Sequence, residues 1–249
     1  MAQAQSQTAL KGKFITAEIV KRIDLTDDLW KIWIRPSEPF NFRPGQYCTI
    51  GAGGIERPYS IVSSPTEPDI ELFVELVPPP EGNLTPILYE LGEGASLTLR
   101  PRAKGIFVFK PEFKNHVMVS TVTGVVPYVS MLRRYLEEPA GDYNFYVLEG
   151  ASYCDEFGYD EELSKMAAEH ENIHFISSCS RPDEPRNAPW KGEIGRINTL
   201  VQKYVGEYGL SPEDTIIYAC GHPQMIEDVK ARYEGSGYAF EEERFWKDG

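Results

Sequence analysis

Residues Arg57-Pro58-Tyr59-Ser60-Ile61 set a permanent cation, a phenol and a hydroxyl close together in a run whose alternation reads as a β-strand. Successive strand side chains point to opposite faces, so Arg57 and Tyr59 share one face and Ser60 takes the other. Arginine offers phosphate a rigid fork of donors. Tyrosine adds a flat surface with one hydroxyl, and serine a small hydroxyl close to the backbone. Together they suit a large planar ligand with a phosphate tail. A surface strand with a paired arginine is the competing account, and the motifs further along the chain decide against it.

Outward from this stretch, the first part of the chain reads as short strands separated by turns. Phe14 to Val20 and Leu29 to Ile34 form an antiparallel pair, Phe42 to Tyr47 is a turn feeding a strand through Ile50, and Gly51 to Gly54 turns into the Arg57 strand. Ile70 to Val77 and Ser96 to Arg100 alternate in the same way. Six such strands predict a small antiparallel barrel of Greek-key type. Between the last two lies Gly82-Asn83-Leu84-Thr85-Pro86, with Thr85 in the position of an N-cap and Pro86 at the first helical position. A helix start there presents free backbone amides to an anion.

From Asn115 the texture changes. Apolar runs at His116 to Ser120, Phe145 to Leu148, Ile173 to Ser177 and Thr215 to Cys220 alternate with helical patterns at Val129 to Glu137, Asp160 to Glu171, Ile197 to Tyr204 and Pro223 to Tyr233. That alternation predicts a doubly wound parallel sheet that takes ligands at the carboxyl ends of its strands. The boundary falls near Pro111 to Asn115, giving domains over 10–112 and 113–249.

The chain has 249 residues, 41% of them hydrophobic, enough for two ordinary domains with substantial cores. No apolar run approaches the roughly 18 residues of a membrane helix, and Met1 to Leu10 carries no secretory pattern, which points to a cytoplasmic protein. A formal net charge of −13 disfavours nucleic acid and anionic membrane as partners. Cys48, Cys154, Cys179 and Cys220 are widely spaced, unlike the thiolates of a zinc site or an iron–sulfur cluster, so no metal is expected.

Taken in order, these motifs resemble the ferredoxin-NADP reductase family of flavoproteins, in particular its compact bacterial members. They are Arg57-x-Tyr59-Ser60, Gly82 to Thr85, Gly105-Ile106-Phe107, the turn Thr121 to Pro127, Cys220-Gly221-x-Pro223-x-Met225, and the acidic-then-aromatic end Glu243 to Trp246. The resemblance runs from about residue 10 to the end. It departs from the family at one place: Val122 stands where the first of two turn glycines is usual.

The resemblance implies FAD and NADP(H) as cofactors. It assigns Arg57 to the FAD pyrophosphate, Tyr59 to the flavin and ribityl chain, and Ser60 to the neighbourhood of the hydride-accepting nitrogen. Pro58 lies in the same strand, and Ile61, Val62 and Ser63 would offer backbone contacts. Gly82, Asn83, Leu84 and Thr85 would bind the pyrophosphate, Thr85 through its hydroxyl and helix amides. Thr123, Gly124 and Pro127 would form the NADP turn. Ser180, Arg181 and Arg196 would read the 2'-phosphate, with Asp183 and Glu184 as a countervailing acidic signal. Cys220, with Gly221 and Met225, would position the nicotinamide, and Glu243 would take part in proton or partner chemistry. In the returning tail Phe245 would stack on the flavin, and Trp246 would lie near the adenine side. Ser60, Cys220, Glu243 and Phe245 are thus the expected catalytic group.

The implied activity is electron transfer between NADPH and ferredoxin or flavodoxin, small acidic carriers, by a monomer. The alternatives are an NADH-dependent reductase serving an oxygenase, a haem protein or free flavin, and a non-catalytic FAD- and nucleotide-binding subunit. For carrier docking the sequence concentrates Arg35, Arg43, Arg57, Arg100, Arg102, Lys104 and Lys110 in its first half.

Overall fold

The computed structural model describes residues 14–244, and these divide into two compact units, residues 14–108 with 130–134 and residues 109–129 with 135–244. The expected contributions of Phe245 and Trp246 lie outside the described residues.

The first unit is a six-stranded antiparallel sheet built from β1 (Ile15–Asp24), β2 (Leu29–Pro36), β3 (Tyr47–Ala52), β4 (Ile55–Ser60), β5 (Ile70–Glu75) and β6 (Ser96–Leu99), with a short helix α1 (Thr85–Tyr89) before β6. Its order is β4-β3-β6-β1-β2-β5. The two edges curl together: just past β4, the Val62 N–H donates to the carbonyl of Glu71 in β5 at 3.0 Å. Alternation drives the inward face, where Ile19, Trp30, Ile32, Ile34, Ile50, Leu72, Leu97 and Leu99 form one buried cluster. Pro58 has no N–H to give a ladder, and β4 tolerates it because it is an edge strand.

The second unit is a parallel sheet of β7 (Asn115–Thr121), β8 (Asn144–Ala151), β9 (Ile173–Cys179), β10 (Glu193–Ile194), β11 (Thr215–Gly221) and β12 (Ala239–Arg244). It is wound with α2 (Val126–Glu137), α3 (Asp160–Glu169), α4 (Ile197–Glu207) and α5 (Pro223–Tyr233). The order β10-β9-β8-β7-β11-β12 reverses direction between β7 and β11, the switch point at which such sheets bind ligands. Val117, Val119, Leu148, Ile217 and Ala219 bury one sheet face against Val201, Ile226 and Val229 of α4 and α5. The central strands are buried on both faces along nearly their whole length, as in a covered parallel sheet.

Candidate functional site

The Arg57 stretch occupies β4 as the sequence predicts, with Arg57 exposed, Tyr59 half-buried and Ser60 buried, 7% exposed. Arg57 bonds only to the neighbouring Glu56 carbonyl, at 2.7 Å, and no carboxylate among the described residues pairs with it. Arg22, Arg35 and Arg100 of the same unit are each paired, to Asp24, Asp69 and Glu56. Arg57 is therefore a cation left open to an outside anion. Tyr59 packs against the barrel core, and burial pushes its hydroxyl's pKa up against the pull of the Arg57 charge. Pro58 is exposed.

Past the strand, Ile61, Val62 and Ser63 are fully buried, so any ligand contact falls to their backbone. The Ser63 hydroxyl donates to the Asp69 carbonyl at 2.8 Å and accepts from the Glu71 N–H at 2.6 Å. Ser130 Oγ donates to the Ser63 carbonyl, and Arg133 pairs with the buried Glu71 carboxylate at 2.6 Å, which fixes this loop firmly.

The expected pyrophosphate stretch differs in chemistry. The cap position belongs to Leu84, and Thr85 is already helical. The Thr85 hydroxyl is spent on Val77, accepting its N–H and donating to its carbonyl, both at 3.0 Å. Thr85 thus secures the loop with its hydroxyl, and only first-turn amides remain for an anion. Gly82 is needed because the chain folds on itself: a Cβ there would lie 1.6 Å from the Val77 oxygen. Leu84 is a core residue, 1% exposed, and Asn83 is exposed.

In the second unit, Thr121 to Pro127 leaves β7 as a 3-10 turn, Val122–Val125, and enters α2. Two motifs about a hundred residues apart in sequence meet here. Gly124 packs on the backbone of Cys220, where a Cβ would be 2.2 Å from its oxygen, and a Cβ on Gly221 would be 2.3 Å from Thr121 Oγ1. The His222 N–H donates to Thr121 Oγ1 at 2.8 Å, closing the junction. Gly124 thus serves packing between turn and strand end rather than the close approach of a phosphate alone. Thr123 is half-buried beside it.

Cys220 is fully buried, with its thiol pKa pushed well up by burial and then by the Glu243 carboxylate. Glu243 is its direct neighbour in the β11–β12 register. The sequence had placed Glu243 in a terminal tail; it lies in a sixth parallel strand. Met225 departs from the expected ligand contact: it is 5% exposed and packs in the core with Val201 and Ile226.

Arg181 and Arg196 are brought to one end of the sheet. Ile194 of β10 pairs with Cys179 of β9, and each arginine lies two residues beyond its strand's paired residue. Both are exposed, and neither pairs with a carboxylate among the described residues. Ser180 gives its N–H to the Ala151 carbonyl at 2.9 Å. Sequence reasoning missed the residues that hold this corner. Arg181 Nη1 donates to Tyr153 Oη at 2.7 Å, and Arg186 lies 4.3 Å over the same ring. Buried Asn187 accepts from the Cys154 N–H and donates to the carbonyls of Ser152 and Arg181, clasping the two loops. Such side-chain-to-backbone bonds leave no periodic trace in sequence.

An oxidoreductase NAD-binding domain model matches residues 118–231. The flavodoxin/ferredoxin–NADP reductase of Escherichia coli is 27% identical, over 87% of this chain and 88% of its own length. These likenesses support the ferredoxin-NADP reductase family. The chain is also 28% identical, over 87% of its length, to the ferredoxin–NAD(P)+ reductase component of the Pseudomonas putida naphthalene 1,2-dioxygenase system, of which it spans 63%. The two-unit fold matches the ferredoxin NADP+ reductase of Neisseria gonorrhoeae, solved with bound FAD and NADP, at a TM-score of 0.81 and 23% identity, over 94% of this chain and 99% of that one. Among the described residues no helix is long and apolar enough to cross a membrane.

Proposed function

We propose that the chain is an FAD-dependent oxidoreductase that exchanges hydride with NADPH and single electrons with a small acidic carrier, ferredoxin or flavodoxin. FAD belongs to residues 10–112 and NADPH to residues 113–249. The observation that carries the NADPH reading is the pair of exposed, uncompensated guanidiniums of Arg181 and Arg196 at one end of β9 and β10. A 2'-phosphate is the feature NADPH has and NADH lacks, and arginine is the side chain best shaped for it.

Bound FAD supplies the conversion between a two-electron donor and one-electron acceptors. The chain's own residues bind and orient. Arg57, without a carboxylate partner among the described residues, neutralises the pyrophosphate, and Tyr59 offers a flat, half-buried wall beside it. Cys220 acts as a neutral thiol that fixes the depth of the nicotinamide; its raised pKa fits positioning and not thiolate attack. Glu243, beside it, is the proton-handling carboxylate, and Phe245 is the ring that stacks on the flavin.

For the carrier, with Arg57 taken by the pyrophosphate, Arg43, Arg102 and Lys104 are exposed and have no carboxylate partner among the described residues, whereas Arg35, Arg100 and Lys110 are paired. In a chain of net charge −13 such open cations are where an acidic protein docks. The rate of ferredoxin or flavodoxin reduction should fall steeply with added salt; a salt-independent rate would remove this surface from the account.

A second reading is favoured by Asp183 and Glu184, exposed on the Arg181 loop, and by the likeness to a dioxygenase reductase component. In it the donor is NADH, whose free ribose hydroxyls suit a carboxylate, and the acceptor is an oxygenase system. Steady-state kinetics with both coenzymes separates the two.

A further inference from the structure

Val122 has φ +43°, the one non-glycine residue with a positive φ among the described residues. A β-branched side chain is strongly disfavoured in that region, which glycine enters freely. The backbone here is thus one that suits glycine, with a valine on it. Strain of this kind persists only where the surroundings hold it. What holds it here is a small apolar cluster outside the main core, made of buried Ala151, Phe157 and Cys179 with half-buried Val122, Cys154 and Trp190 packed against it.

That cluster is the floor under the two loops that present Arg181. Ala151 ends β8 and its carbonyl takes the Ser180 N–H; Cys179 ends β9, two residues before Arg181. Phe157 and Trp190 stack at 5.2 Å, one from each loop. Asn187 ties the loops above the floor by its bonds to Cys154, Ser152 and Arg181. Val122 is the contribution of the β7 turn to this floor, and a glycine would contribute nothing.

We infer that Val122 is a positioning residue for phosphate recognition: its side chain braces the Thr121–Val125 turn against the loops that carry Arg181. The left-handed backbone at a β-branched residue is tolerated for the sake of that brace. The inference rests on Arg181 reading a 2'-phosphate and adds what holds Arg181 in register with the turn.

The test is the binding of adenosine 2',5'-bisphosphate and of 5'-ADP to the FAD-loaded full chain, compared between wild type, Val122→Gly and Val122→Ile. Glycine suits the backbone, so Val122→Gly should fold with its flavin spectrum unchanged. The preference for the 2'-phosphate should fall about tenfold in Val122→Gly, as expected when a binding group is loosened by a fraction of an ångström. Val122→Ile, which keeps a branched side chain in the cluster, should retain it. A general loss of structure would weaken both ligands together and leave their ratio unmoved. A wild-type preference that survives in Val122→Gly overturns the brace alone. A wild type that binds both ligands equally overturns the phosphate reading itself, and the brace with it.

Discussion

Gly124 rests directly on the backbone of Cys220, so close that a Cβ on the glycine would stand 2.2 Å from the Cys220 carbonyl oxygen and 2.8 Å from the Gly221 Cα. Both obstacles are backbone and cannot swing aside. Gly124→Ala should therefore push the turn off the end of β11 and destabilise the protein by about 1–3 kcal/mol, the usual range for overpacking. Urea unfolding measures it, and a variant as stable as wild type would show that the junction is loose.

Arg57 and Thr85 make opposite contributions. Arg57→Gln removes an exposed cation that no carboxylate partners, so stability should hold within about 0.5 kcal/mol while FAD affinity falls by about tenfold or more, the worth of one charge-assisted hydrogen bond. Thr85→Val removes a hydroxyl that bridges the N–H and carbonyl of Val77, and should cost about 1–3 kcal/mol of stability. Denaturant midpoints with FAD saturating, together with FAD dissociation constants, separate the two effects.

His116 is fully buried among Phe109, Phe145 and Tyr218. Its Nε2–H donates to the Phe113 carbonyl at 3.0 Å, and Nδ1 has no partner. Burial lowers its pKa from 6.5 to about 4. Between those values the unfolded chain binds the proton and the folded one does not, so stability falls as pH drops from 6.5 towards 4. The loss attributable to this ring is on the order of 3 kcal/mol once pH is below both values. Comparing wild type with His116→Phe by thermal melts across that window should show a shallower acid slope in the variant.

Of the four cysteines, Cys48, Cys179 and Cys220 are buried, with thiol pKa values raised chiefly by burial, and Cys154 is half-buried. Iodoacetamide at pH 8 should label the native protein at Cys154 alone. Mass mapping checks this, and early labelling of Cys220 would show that it is an accessible thiolate and not a buried positioning group.

The sequence discloses the two-unit plan because each half has a clean period: alternation for the antiparallel strands around Arg57, and apolar runs between helices after Asn115. What it hides has a physical cause in each case. β12 escapes because Glu241, Glu242 and Glu243 break any apolar pattern, as edge strands commonly do; with it goes the Cys220–Glu243 neighbourhood. Thr85 looks like a cap because spacing cannot show that its hydroxyl faces Val77. Met225 shares a motif with Cys220 but falls on the inward face of α5. The Arg181 corner was half legible: the arginines stand out, whereas Tyr153 and Asn187, which hold them, sit in loops without period.

The central claim is an FAD enzyme reduced by NADPH, and an anaerobic titration of the purified yellow protein tests it most directly. With NADPH and NADH added separately, the flavin absorption band should bleach at much lower NADPH than NADH, as the open guanidiniums of Arg181 and Arg196 require. Bleaching at lower NADH would contradict the phosphate reading and favour the dioxygenase-type role. A protein that neither carries nor takes up FAD would contradict the account built on Arg57, Tyr59 and Ser60.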